Sequence, residues 1–230
     1  MDMQRNFFII CAAIFIGIAF FVWISNHPDI TSENLSIQTK ETNQAVENIQ
    51  HTNTNTTLPT NIQEHPDSRI PLTNASDRVT KKPFGIYITP ATSPVKLEKF
   101  SGHHTGTDFE ILPGEEDMNV EVRAICDGVV RMKQRVSGYG GVFIQSCAID
   151  SQEVTVLYGH FALGSISLKV EDSVKAGNAI GFLGAPYSQD TDGERKHLHL
   201  GIHKGDTISY RGYVSTESDL SDWMNAELLL

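Results

Sequence analysis

From about Phe84 onward the chain is written in short apolar runs rich in Val, Ile, Phe and Tyr, broken at close intervals by glycine-containing turns. Residues of these types pack well on a pleated surface, and turns so closely spaced leave no room for long helices. Residues 122–126, 129–133, 142–146 and 154–158 are strand candidates. Asp127-Gly128 and Gly138-Tyr-Gly-Gly141 supply turns between them. The expected fold class is all-β, a compact antiparallel β-sandwich or partly open barrel. Leu220, Trp223, Met224 and Leu228 recur at helical spacing, so a short C-terminal helix is expected to close it.

The sequence before this region has a different texture. Residues 26–83 are dominated by Thr, Asn, Gln and Ser without a sustained apolar period. A stretch of that kind buries too little surface to offset its ordering entropy, so it is expected to be a disordered polar linker. Residues 7–24 form an unbroken apolar run of eighteen, near the lower limit for a membrane-spanning helix. The run ends at Trp23-Ile24 with no small-residue cleavage site, and Arg5 precedes it. These features point to an uncleaved transmembrane signal-anchor at residues 1–25, with the N-terminus inside. Three parts are therefore expected: the anchor, the linker at 26–83 and a folded domain at 84–230. The expected location is the cell membrane, single-pass, with the domain on the periplasmic or extracellular side.

Charge removes one class of partner. The chain carries a formal net charge of -10, and from residue 84 on 12 basic side chains face 20 acidic ones. A nucleic-acid binder gathers Lys and Arg on one face, so no nucleic-acid partner is expected. Cys126 and Cys147 fall in this domain, on the side where thiols oxidise, and either bridge or remain two separate buried thiols.

Six of the nine histidines lie in this domain. In Lys196-His-Leu-His-Leu-Gly-Ile-His203, strand alternation puts His197, His199 and His203 on one face and Leu198, Leu200 and Ile202 on the other. A strand that spends its polar face on imidazole is hard to explain by solubility. In Gly102-His-His-Thr-Gly-Thr-Asp108, His104 and Asp108 are four apart and share a face, and the glycines and threonines favour an extended conformation. This imidazole and carboxylate, with one imidazole of the His-x-His strand, make three ligands of the kind zinc prefers and leave a fourth position open. His160 ends the run Val154-Thr-Val-Leu-Tyr-Gly-His160, where it can face the same metal.

Together, His104-x-Gly106-x-Asp108, Tyr158-Gly-His160 and His197-Leu-His199 resemble the lysostaphin-type zinc metalloendopeptidases that act on peptidoglycan. Asp127-Gly128-Val-Val, Gly138-Tyr-Gly140 and the glycines at 177 and 181 add to the likeness, which covers roughly residues 84 to 210. The resemblance implies one zinc ion held by His104, Asp108 and His199, with His160 and His197 acting on the water and the transition state. It also implies a peptidoglycan peptide as substrate and hydrolysis of its cross-links by a zinc-activated water. A rival is a non-catalytic peptidoglycan-binding module that regulates another wall hydrolase, against which the complete ligand set counts. The chain departs from the pattern where Gly193-Glu-Arg-Lys196 stands in place of a Gly-Pro before the first histidine. His103 is expected as a neighbour or substrate contact, and His203 as lining the cleft or facing solvent.

Overall fold

A computed structural model of the protein describes residues 69–230. A four-residue helix, α1 (Ala75–Arg78), comes first, followed by twelve strands. These are β1 (Tyr87–Ile88), β2 (Gly102–His104), β3 (Gly106–Glu110), β4 (Glu121–Arg123), β5 (Gly128–Val136) and β6 (Gly140–Ile149). After them come β7 (Gln152–Gly159), β8 (Ser173–Val174), β9 (Ala179–Phe182), β10 (His197–Lys204), β11 (Tyr213–Val214) and β12 (Trp223–Met224). All pairings are antiparallel. The main sheet runs β12-β10-β7-β6-β5-β8, with β3 also paired to β10; β1-β2-β11 and β4-β9 form two small sheets. The domain is mostly β, as its residue types require, and its sheets do not close into a barrel.

Local chemistry sets the long hairpin at the centre. Asp150 and Ser151 join β6 to β7 with φ of 49° and 67°, the left-handed pair that a two-residue turn needs to match strand twist. Alternation along the paired strands then divides the sheet. Phe143, Val156, Tyr158, Leu198, Leu200 and Ile202 are buried in the main core with Phe109 and Phe161. Val142, Ile144 and Leu157, on the other parity, pack with Met132 and Tyr139 in a second cluster. Cys126 and Cys147 form a disulfide with Cα atoms 6.2 Å apart, within ordinary bridging distance.

Two expectations need correction. The polar linker was to run through residue 83, yet residues 69–83 belong to the domain. Leu72 and Ala75 sit in the core, and Arg78 and Lys82 are buried. Arg78 forks onto both carboxylate oxygens of Glu115 at 2.6 and 2.8 Å and donates to the carbonyls of Thr73 and Glu110. The carbonyl of Lys82 accepts from the amide of Asp108 at 3.0 Å, so this segment borders the first histidine motif rather than hanging free of it. A handful of apolar residues in polar surroundings is enough to dock a segment when its charged groups also find partners. The expected C-terminal helix is instead two 3-10 segments, Glu217–Asp222 and Ala226–Leu229, separated by β12. Trp223 and Met224 leave the helical pattern because they pair with His203 and Ile202. The anchor at 1–25 and the rest of the linker lie outside the described residues. Among the described residues no helix is long and apolar enough to cross a membrane.

Arg78→Met strands the Glu115 carboxylate and two carbonyls. It is expected to lower unfolding free energy by about 3 kcal/mol in denaturant titrations. A loss under about 1 kcal/mol would mean that residues 69–83 are not part of the folding unit.

Candidate metal centre

The pairing of β3 with β10 builds the site. Asp108 lies opposite His199, Glu110 opposite His197 and Gly106 opposite Gly201. The close approach requires glycine at 106, where a Cβ would stand 2.6 Å from Nε2 of His199. His104 enters from the end of β2, and its Nε2 lies 3.1 Å from Nδ1 of His199 and 3.3 Å from Oδ1 of Asp108. Nδ1 of His199 is 3.0 Å from the same carboxylate oxygen. All three side chains are buried.

Three donor atoms thus converge on one point. Ligands at zinc distances around a tetrahedral centre are about 3.3–3.4 Å apart, close to the spacings here. The remaining ring nitrogens have their own partners: Nδ1 of His104 faces the carbonyl of Pro83 at 3.2 Å, and Nε2 of His199 faces the Tyr139 hydroxyl at 3.4 Å. A His104 that donates Nδ1–H to the carbonyl turns the lone pair of Nε2 to the cluster, as a ligand must. The donor set therefore fits a zinc ion, with two imidazoles and one carboxylate and room for a fourth ligand from the cleft.

His197 and His160 stand beside this cluster, their rings 4.2 Å apart. Nδ1 of His197 faces the carbonyl of Arg195 at 2.9 Å, and its Nε2 lies 3.3 Å from Oδ2 of Asp108. Both ring nitrogens thus face oxygens that can accept a hydrogen bond. His160 follows β7 with a left-handed φ of 67°, and its buried Nδ1 has no hydrogen-bond partner. Burial, and then the neighbouring His197, hold the His160 pKa well below the ordinary histidine value. Burial likewise depresses His199 to about 4, against the pull of Asp108. Asp108 is pushed up by burial, but His197 and His104 outweigh that and keep its carboxyl well below the usual range.

All five residues singled out in the sequence are therefore brought together. The other two histidines are not. His103 turns away, with Nδ1 3.2 Å from the carbonyl of Gly85 and its ring edge against Tyr87. His203 does not line the cleft; it is partly exposed and packs edge-on against Trp223 with Nδ1 buried. Tyr158 of the Tyr-Gly-His motif points into the core, where its hydroxyl accepts from the amide of Ile125 and donates to Gln145.

Several neighbours were not anticipated. Tyr139 packs on the rings of His199 and His160, and Tyr213 on that of His104. Arg195 reaches Asp108, and Glu110 holds Arg195. Strand parity could have found Glu110, two beyond Asp108 on β3, whereas Arg195 lies before β10 begins and has no such signal. The tyrosines arrive through tertiary packing and leave no such trace. The cluster opens on a cleft of about 290 Å³ whose walls include Phe100, Tyr139, Tyr210, Tyr213 and Arg195.

Residues 102–210 match the model of peptidase family M23. The DD-carboxypeptidase/endopeptidase Mpg of Neisseria meningitidis serogroup B is 33% identical over 103 residues, which is 45% of this chain and 20% of that protein. The chain thus matches about a fifth of the length of this curated relative. Among solved structures, LytU is 23% identical with a TM-score of 0.43, covering 64% of this chain and 80% of that one. A zinc-containing peptidase from Vibrio cholerae is 19% identical with a TM-score of 0.40, covering 69% and 38%.

The depressed histidines make a testable statement about pH. In metal-free protein, an unfolded His199 takes up a proton near its ordinary 6.5, whereas the folded one refuses it until about 4. Between those values the unfolded state binds more protons, so stability falls as pH falls. His160 acts in the same direction. Chelator-treated protein is expected to melt lower at pH 5 than at pH 7.5, and an unchanged melting temperature would contradict this environment for the histidines.

Proposed function

Because residues 102–210 match the model of peptidase family M23, we propose that this chain is a zinc metalloendopeptidase that hydrolyses peptide cross-links of bacterial peptidoglycan. The observation that carries the reading is the convergence of His104 Nε2, Asp108 Oδ1 and His199 Nδ1 within 3.0–3.3 Å of one another beside an open cleft. A relative named for DD-carboxypeptidase and endopeptidase activity supports the substrate class. The apolar run at residues 7–24, preceded by Arg5, supports a single-pass anchor that holds the domain outside the membrane, within reach of the wall.

In this reading His104, Asp108 and His199 hold the ion. Zinc in such a site supplies Lewis acidity, lowering the pKa of water to about 7 and polarising a carbonyl. His160 is kept neutral by burial, which leaves a ring lone pair to accept a hydrogen bond in the cleft. With Nδ1 sealed in the protein, Nε2 is the nitrogen left for the cleft. His197 does the opposite work. Held between the Arg195 carbonyl and Asp108, it is set up to donate from Nε2, toward negative charge that develops on the scissile carbonyl or toward the leaving amine. Tyr139 and Tyr213 cover the imidazoles and keep bulk water from them.

Incubating purified full chain with cell-wall sacculi and identifying the products by mass spectrometry tests the reading. Wild type is expected to bind zinc and release cleaved cross-links, and His199→Ala to lose both. His160→Ala is expected to retain zinc and lose turnover by about 10²–10⁴-fold. Wild-type protein that binds no zinc and leaves sacculi intact would favour a binding module instead.

A further inference from the structure

Gly193-Glu-Arg-Lys196, where the resemblance leads one to expect Gly-Pro, places a guanidinium beside the cluster. Nη2 of Arg195 donates to Oδ2 of Asp108 at 2.8 Å. Its Nε lies 2.9 and 3.0 Å from the two carboxylate oxygens of Glu110, and Nη2 also donates to Glu110. All three side chains are largely enclosed, at 11%, 3% and 9% exposure for Arg195, Asp108 and Glu110. Glu110 has one further cationic partner, the more exposed Lys81 at 3.1 Å.

The two oxygens of Asp108 are thereby given separate tasks. Oδ1 faces His104 and His199, while Oδ2 faces Arg195 and His197. A carboxylate free to turn could offer both oxygens to one cation. Here that rotation would break a charge-assisted bond inside the protein, where a broken bond is costly. Arg195 alone, however, would set a fixed positive charge close to where a dication is to bind. The carboxylate of Glu110, directly opposite His197 in the β3–β10 register, cancels that charge and clamps the fork.

We propose that Arg195 and Glu110 form a positioning pair that holds Asp108 as a one-oxygen ligand and thereby sets the zinc affinity of the site. This rests on the reading that His104, Asp108 and His199 bind zinc. The pair acts through Asp108, and neither member touches the ion. Glu110 in turn acts only through Arg195, which gives the pair a signature that simple fold stabilisation lacks: once Arg195 is gone, Glu110 has little left to contribute to the metal.

The experiment is zinc affinity by chelator competition on the full chain, for wild type, Arg195→Gln, Arg195→Lys, Glu110→Gln and the double variant Arg195→Gln/Glu110→Gln. Melting curves of each chelated protein accompany it, and affinities are taken where that form is folded. Arg195→Gln and Glu110→Gln are each expected to bind zinc about 10–100-fold more weakly, as loss of a group that orients a ligand does. Arg195→Lys, which cannot make the fork, is expected to fall between them and wild type. The double variant is expected within about threefold of Arg195→Gln alone, because the two effects are not additive. Zinc affinity in Arg195→Gln within about threefold of wild type would overturn the proposal, as would losses that add in the double variant or merely follow loss of the folded chelated protein. Wild type that binds no zinc at all would overturn the metal reading itself, a separate outcome.

Discussion

The register between β3 and β10 is the constraint on which the rest depends. With Asp108 opposite His199 and Glu110 opposite His197, one antiparallel pairing fixes four functional side chains on the same face. The side-chain period of a strand is two, so a slip by one residue would send every one of them into the core and bring Phe109, Leu198 and Leu200 out. Burial of those three apolar residues therefore holds the imidazoles and carboxylates in place. Stability and site geometry are set by the same register.

That arrangement also accounts for the electrostatics. Two buried carboxylates side by side would repel and cost desolvation, yet Asp108 and Glu110 both lie within reach of Arg195. The histidines separate by environment. His160 is enclosed by Tyr139 and His197 without a partner for Nδ1, while His197 has an acceptor at each nitrogen. Two imidazoles 4.2 Å apart thus sit in different hydrogen-bonding environments.

Much of this was legible in the sequence. Alternation in His197-Leu-His199 and the four-residue step from His104 to Asp108 predict convergent ligands, because strand parity is a local property. The resemblance to lysostaphin-type enzymes supplied the choice of His199 over His197 as ligand. What escaped depends on contacts distant in sequence. Leu220, Trp223, Met224 and Leu228 have helical spacing, but pairing with β10 outweighs it. Residues 69–83 read as linker because composition averages over Leu72, Ala75 and Arg78, whose burial needs partners more than thirty residues away. Tyr139 lies in the Gly138-Tyr-Gly140 motif, read there only as a turn and a likeness, and Tyr213 carries no motif, so neither was marked as a neighbour of the imidazoles.

The central claim is that the three converging donors are zinc ligands. Anomalous diffraction from crystals of zinc-loaded protein, recorded on both sides of the zinc absorption edge, tests it directly. The account predicts one strong peak about 2.0–2.2 Å from Nε2 of His104, Oδ1 of Asp108 and Nδ1 of His199, with Oδ2 of Asp108 farther away. A peak bound instead by His197 or His160, or no peak among these residues, would contradict it.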